Sequence, residues 1–151
     1  MCSSDLDRAF PPFTRDKLKM LVVVASPAPG NRLVDPFSEE LAIGVVKEGL
    51  GTVPWDLLCH VEHPRRIGAP TVGQICDRLG TGAYTGLHIV CHGAKRLNSD
   101  DTVIFLDQDG PLPGEPDPRA APIPTSTFLQ RLNAPSKNPA PLPKIQLDVP
   151  R

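Results

Sequence analysis

Apolar residues in this chain fall into short blocks whose spacing switches between two periods. Leu21-Val22-Val23-Val24-Ala25 is a continuous, mostly β-branched run closed by the turn residues Ser26-Pro27-Ala28-Pro29-Gly30-Asn31, the pattern of a strand buried on both faces. Ser38, followed by Glu39 and Glu40, reads as the N-cap and acidic first turn of a helix. Its Leu41, Val45, Val46 and Leu50 are expected to share one apolar side, and Gly49 and Gly51 to end it. A second strand is expected over Asp56 to Val61, with Pro64, Gly68 and Pro70 in the loop beyond. Thr71 then caps a compact helix whose Val72, Ile75, Cys76 and Leu79 form a single stripe at helical spacing. Gly80, Gly82 and Gly86 turn the chain into a third strand, Leu87 to Cys91.

Strand, helix, strand, helix, strand is an order that predicts an α/β fold: a mostly parallel sheet with right-handed crossovers and helices on both faces. The remainder is less regular. Thr102 to Leu106 reads as a strand and Asp107-Gln108-Asp109-Gly110 as a turn, with Pro111 and Leu112 returning in a small hairpin. The prolines of Pro111 to Pro124 allow only a loop to be expected, and Ala134 to Pro143 is similar. Between them, Thr125 or Ser126 is expected to cap a short helix through Phe128, Leu129 and Leu132. Ile145, Leu147 and Val149 alternate with Lys144, Gln146 and Asp148, so the last strand has one wet face and belongs at an edge or beneath a missing layer.

With 151 residues the chain is one domain of ordinary size. Residues 1–18 have no sustained period and read as a leader or tail, leaving 19–151 as the folded part. A net charge of -1 with interspersed signs offers no electrostatic footprint for nucleic acid or an anionic membrane, and no apolar run is long enough to span a bilayer. The expected partner is a protein, a peptide or a small molecule. Cys2, Cys59, Cys76 and Cys91 are scattered and no secretory pattern precedes them, which suits reduced thiols in a cytoplasmic protein.

The chemistry concentrates in Leu87-His88-Ile89-Val90-Cys91-His92-Gly93, an apolar strand that stops on a histidine and a glycine. Histidine is suited to proton transfer near neutral pH, and glycine leaves the backbone open to a substrate. Rival chemistries are weaker. The turn after the first strand lacks the glycine spacing of a phosphate loop, and its prolines remove the N–H groups that would cradle a phosphate. His88 and His92 share a strand face but stand roughly 13 Å apart, too far to grip one ion. Cys59, His60 and His63 could in principle bind zinc, but no fourth ligand is indicated, and a strand terminus with solvated histidines is the simpler reading. Asp100, Asp101, Asp107 and Asp109 read most simply as solvated turn residues, although in a complete domain carboxylates near a pocket mouth could select basic substrate side chains.

These segments resemble the CHAT domain, a caspase-like module of the cysteine peptidase clan that includes caspases, gingipains and separase. The resemblance is carried by Met20 to Ser26 with Pro27, the Pro70-Thr71 helix start, the run Leu87 to Gly93, and the hairpin-like Asp101 to Gly110. It covers about Lys19 to Val149, the first portion of the family's fold, and implies a three-layer α/β/α domain without cofactor. In that family a cysteine ending the next core strand attacks peptide bonds, with the strand-terminal histidine as its base. The resemblance therefore makes His92 the catalytic base and the Gly93 N–H an oxyanion donor.

One departure governs the enzyme question. Leu142 to Val149 matches the approach to the nucleophile strand, yet Pro150 and Arg151 stand where the cysteine is expected. The expectation is thus a truncated CHAT-domain protein with its catalytic histidine and glycine but no nucleophile, inactive by itself and prone to self-association through an open sheet edge. The alternative is a non-catalytic interaction or regulatory module of the same fold, in a bacterial signalling or defence system. Cys91 is no substitute, because successive strand side chains face opposite ways and its thiol should enter the core.

Overall fold

A computed structural model describes residues 17–29, 31, 33–110, 121–134 and 144–148. Five strands form a parallel sheet: β1 (Met20–Ala25), β2 (Trp55–Leu58), β3 (Arg66–Gly68), β4 (Gly86–Cys91) and β8 (Lys144–Asp148), in the order β3-β2-β1-β4-β8. A smaller antiparallel sheet holds β5 (Gly93–Lys95), β6 (Thr102–Leu106) and β7 (Ala121–Pro124), in that order. The helices are α1 (Glu39–Leu50), α2 (Val72–Gly80) and α3 (Thr125–Asn133).

Alternation along β1 splits the core in two. Leu21, Val23 and Ala25 pack with Leu87, Ile89 and Cys91 of β4 beneath Val72 and Ile75 of α2 and Phe128 of α3. Val22 and Val24 face the other way, joining Trp55, Leu57 and Val90 beneath Ile43 of α1. Every residue of β1 from Leu21 to Ala25 is at most 1% exposed, as a central strand covered on both faces requires. The chain steps from β1 out to β2 and later back across to β4, so right-handed crossovers place α1 and α2 on opposite faces.

The N-caps of the first two helices fall at Ser38, which accepts from Leu41 N, and Thr71, which accepts from Gln74 N. The apolar stripe of α1 differs from expectation. Ile43 is buried, with Ala42, Val46 and Leu50 packed beside it, whereas Leu41 and Val45 lie 75% and 70% exposed. The helix is rotated because Glu39 is drawn inward by four hydrogen bonds, and the face that follows Glu39 at helical spacing goes in with it.

Three further expectations are revised. β3 forms within the expected loop, with Arg66 Nε donating to Cys59 O and Leu57 N to Arg65 O. Residues 121–124, expected as loop, form β7, which pairs Ile104↔Ile123 and Leu106↔Ala121. Two prolines are tolerated there because β7 is an edge strand. Phe105 N bonds His92 O on the β5 side, so Ile104 and Leu106 address β7, and Pro122 and Pro124 occupy the alternate positions whose nitrogens face outward. At α3, neither Thr125 nor Ser126 caps the helix: Thr125 Oγ1 bonds Thr102 Oγ1 and Ser126 Oγ donates to Asp101. The return strand expected at Pro111 and Leu112 lies outside the described residues, as do residues 1–16 of the expected leader.

Candidate functional site

In an open α/β sheet, ligands bind beyond the carboxyl ends of the strands, at the point where the strand order reverses. That point lies between β1 and β4, paired in parallel from Met20↔Gly86 to Ala25↔Cys91. The next residues along each strand are Ser26 and His92, so the histidine singled out by sequence stands at the switch point. β8 flanks β4 on the other side, with Gly86↔Lys144 through Val90↔Asp148 in register. Pro150 and Arg151 lie outside the described residues.

His92 is half-buried. Its Nε2 is shut away from solvent and has no hydrogen-bond partner among the described residues, and Phe37 meets the ring edge-on at a centroid distance of 5.4 Å. An enclosed ring nitrogen without a partner costs about 1–3 kcal/mol. Gly93 opens β5 opposite Ile104 and is exposed. Since Phe105 N donates to His92 O at 3.0 Å, residues 92 and 105 form a hydrogen-bonded pair. By the alternation of an antiparallel ladder, 93 and 104 do not, and the Gly93 N–H is directed away from β6.

Behind this rim lies a polar cluster that sequence reasoning missed. Glu39, 4% exposed, accepts from the backbone of Ser26 (3.0 Å), His60 (2.9 Å) and Val61 (3.2 Å). The His60 ring sits between two carboxylates, Nδ1 2.5 Å from Glu39 and Nε2 2.6 Å from Asp107. Burial alone would lower the His60 pKa, but hydrogen bonds and charge from Asp107 and Glu39 outweigh it and raise the pKa to about 9. Burial likewise opposes ionisation of Glu39, yet its bonds to His60 and Ser26 hold its carboxyl below the ordinary value. With both nitrogens occupied, His60 is a fixed imidazolium and not a base.

The cluster positions His92 through Ser26. Ser26 N is held by Glu39, while Ser26 Oγ donates to Phe37 O (2.8 Å) and accepts from Phe37 N (2.9 Å). Phe37, the neighbour of the His92 ring, is thereby clamped to the end of β1. Asp107 also ties the end of β6 to the start of α2, bridging to Thr71 and donating its N–H to Pro70 O. A signal for the cluster existed: His60 and Asp107, like His92, are polar residues directly after apolar strand runs.

The other candidates go separate ways. Cys59 Sγ donates to Val61 O, His63 packs against Trp55 at 5.8 Å, and His60 is consumed by carboxylates, so this trio does not converge on an ion. Burial, then the Glu39 charge, pushes the Cys59 thiol up to about 11, and burial alone does the same to Cys91. Cys91 lies in the core under α2 and α3, on the opposite face from His92. Asp107 is buried instead of solvated, and Asp109 accepts from Gly73 N and pairs with Arg131. Ser126 donates to Asp101. Among the described residues no helix is long and apolar enough to cross a membrane.

Comparison with protein-family models, curated proteins and solved structures returns no match.

Proposed function

We propose that the chain carries the base side of a caspase-like cysteine peptidase centre of the CHAT type, with His92 as general base and the Gly93 N–H as oxyanion donor. The observation that carries this reading is the parallel pairing of β8 with β4: the two strands lie about 4.8 Å apart, and the last pair, Val90↔Asp148, stands two residues before His92. In such a centre a thiol at the end of β8 passes its proton to His92, and the thiolate attacks the scissile carbonyl carbon. The carbonyl oxygen gains charge against the Gly93 N–H. The imidazolium returns its proton to the departing amine, and water hydrolyses the resulting thioester.

None of the described thiols fills that role. Cys59 and Cys91 are buried with raised pKa values, and burial also raises that of Cys76. No cysteine follows Cys91 in the sequence. The proposed centre needs a thiol at the end of β8, and none of these described thiols supplies it. A broad fluorogenic peptide panel tests the reading: no turnover is expected of the polypeptide alone, and turnover abolished by His92→Ala would contradict that expectation.

A further inference from the structure

Among the described residues, the strand that begins at Gly93 has an open side. β5 is the outer member of the antiparallel sheet, joined to β6 through Gly93↔Ile104, Ala94↔Val103 and Lys95↔Thr102. The same alternation that turns the Gly93 N–H away from β6 applies to Lys95, two residues on. The N–H and C=O groups of both residues thus face the free edge. Gly93, Ala94 and Lys95 are all exposed. The edge starts immediately after the His92 ring and ends at a turn, where Asn98 takes a left-handed conformation and Leu97 is 91% exposed. A shallow recess of about 430 Å³ opens there, lined by Lys95, Arg96, Leu97 and Asp100 among others.

We infer that this edge is a docking rail on which an extended acidic peptide adds as a strand, leading the segment to His92. Strand addition supplies main-chain hydrogen bonds in register, and side chains beside the rail supply selectivity. Lys95 and Arg96 form no ion pair among the described residues, so their charges are available to a carboxylate-bearing segment. The same charges disfavour a second copy of the chain. A second copy would bring its own Lys95 and Arg96 to the same edge, and lysine on an edge strand is a device that resists self-pairing. Leu97 offers the incoming segment one apolar contact at the far end.

That the docked segment is a substrate rests on the reading of His92 as a base; the docking itself does not. The test is amide chemical-shift mapping of the ¹⁵N-labelled chain with three synthetic octapeptides. One alternates Glu and Thr, one is its backbone N-methylated analogue, and one replaces Glu with Lys. The Glu peptide is expected to shift the amides of Gly93 to Leu97, with at least ten-fold weaker binding for the other two. Lys95→Glu combined with Arg96→Glu should reverse the preference. Absence of binding, shifts centred elsewhere, indifference to N-methylation, or concentration-dependent shifts at these amides without peptide would each overturn the proposal. None of those outcomes bears on the base function of His92, which a thiol introduced beside it reports separately.

Discussion

His60 Nε2 lies 2.6 Å from Asp107 Oδ2, a bond that ties the carboxyl end of β2 in the parallel sheet to the carboxyl end of β6 in the antiparallel one. With Glu39 on its other nitrogen, the His60 ring is the centre of a buried carboxylate–imidazolium–carboxylate cluster. Removing the ring takes away the cation held between two acidic groups that are 4% and 5% exposed. His60→Ala is accordingly expected to destabilise the fold by about 3–5 kcal/mol, the range for breaking a buried ion pair from one side. Urea unfolding of the variant measures it; a loss below about 1 kcal/mol would mean the cluster does not hold the rim together.

The same cluster sets a pH dependence. His60 has its pKa raised from 6.5 to about 9, so its proton stabilises the folded chain fully below pH 6.5. That contribution, on the order of 3 kcal/mol, falls away as the pH rises from 6.5 through about 9. Glu39 works in the opposite sense: its lowered pKa gives stability that is present above the unfolded carboxyl value and lost as acid protonates it. Melting temperature should therefore decline between pH 6.5 and 9 in the native chain, and His60→Gln should flatten that decline.

Much of the fold was legible because buried strands and capped helices write their pattern locally. The runs Leu21–Ala25, Leu87–Cys91 and Thr102–Leu106, and the caps Ser38 and Thr71, fall where their chemistry places them. His92 was legible for the same reason, since a histidine directly after a buried strand has one position open to it. What stayed hidden depends on partners distant in sequence. Glu39 looks like a helix-dipole charge until His60, 21 residues on, meets it, and Asp107 looks like a turn residue until the ring 47 residues before it arrives. The exposure of Leu41 and Val45 follows from that long-range pull on α1 and from nothing in the helix itself. β7 was hidden because prolines mark a loop unless an outward-facing edge is known to be available.

Phe37 covers the His92 ring and is clamped by Ser26. Phe37→Ala should expose Nε2 and speed carbethoxylation of His92 by diethyl pyrocarbonate several-fold, read by mass spectrometry at that residue. Ser26→Ala should act in the same direction with a smaller effect. An unchanged rate in Phe37→Ala would show that some other group encloses the nitrogen.

Asp109 lies over the first turn of α2, accepting from Gly73 N and pairing with Arg131 of α3. A Cβ on residue 73 would collide with the Asp109 carboxylate. Gly73→Ala is expected to displace that carboxylate, and Asp109→Ala to remove a capping contact worth about 1 kcal/mol. The two losses should not add in the double variant, because both act through one contact; additivity in thermal unfolding would contradict this.

The central claim, that His92 is placed to deprotonate a thiol ending β8, can be met head-on by supplying the thiol. The resemblance to the CHAT domain expects the nucleophile around Pro150 or Arg151, directly after the strand that pairs with β4. Pro150→Cys and Arg151→Cys are therefore the variants to make, with the alkylation rate of the new thiol by iodoacetamide followed against pH. In at least one of them half-maximal reactivity should fall well below the ordinary thiol value of about 8.5, and return to it when His92→Ala is added. PH profiles that stay near the ordinary value in both variants, or that do not respond to the loss of His92, would contradict it.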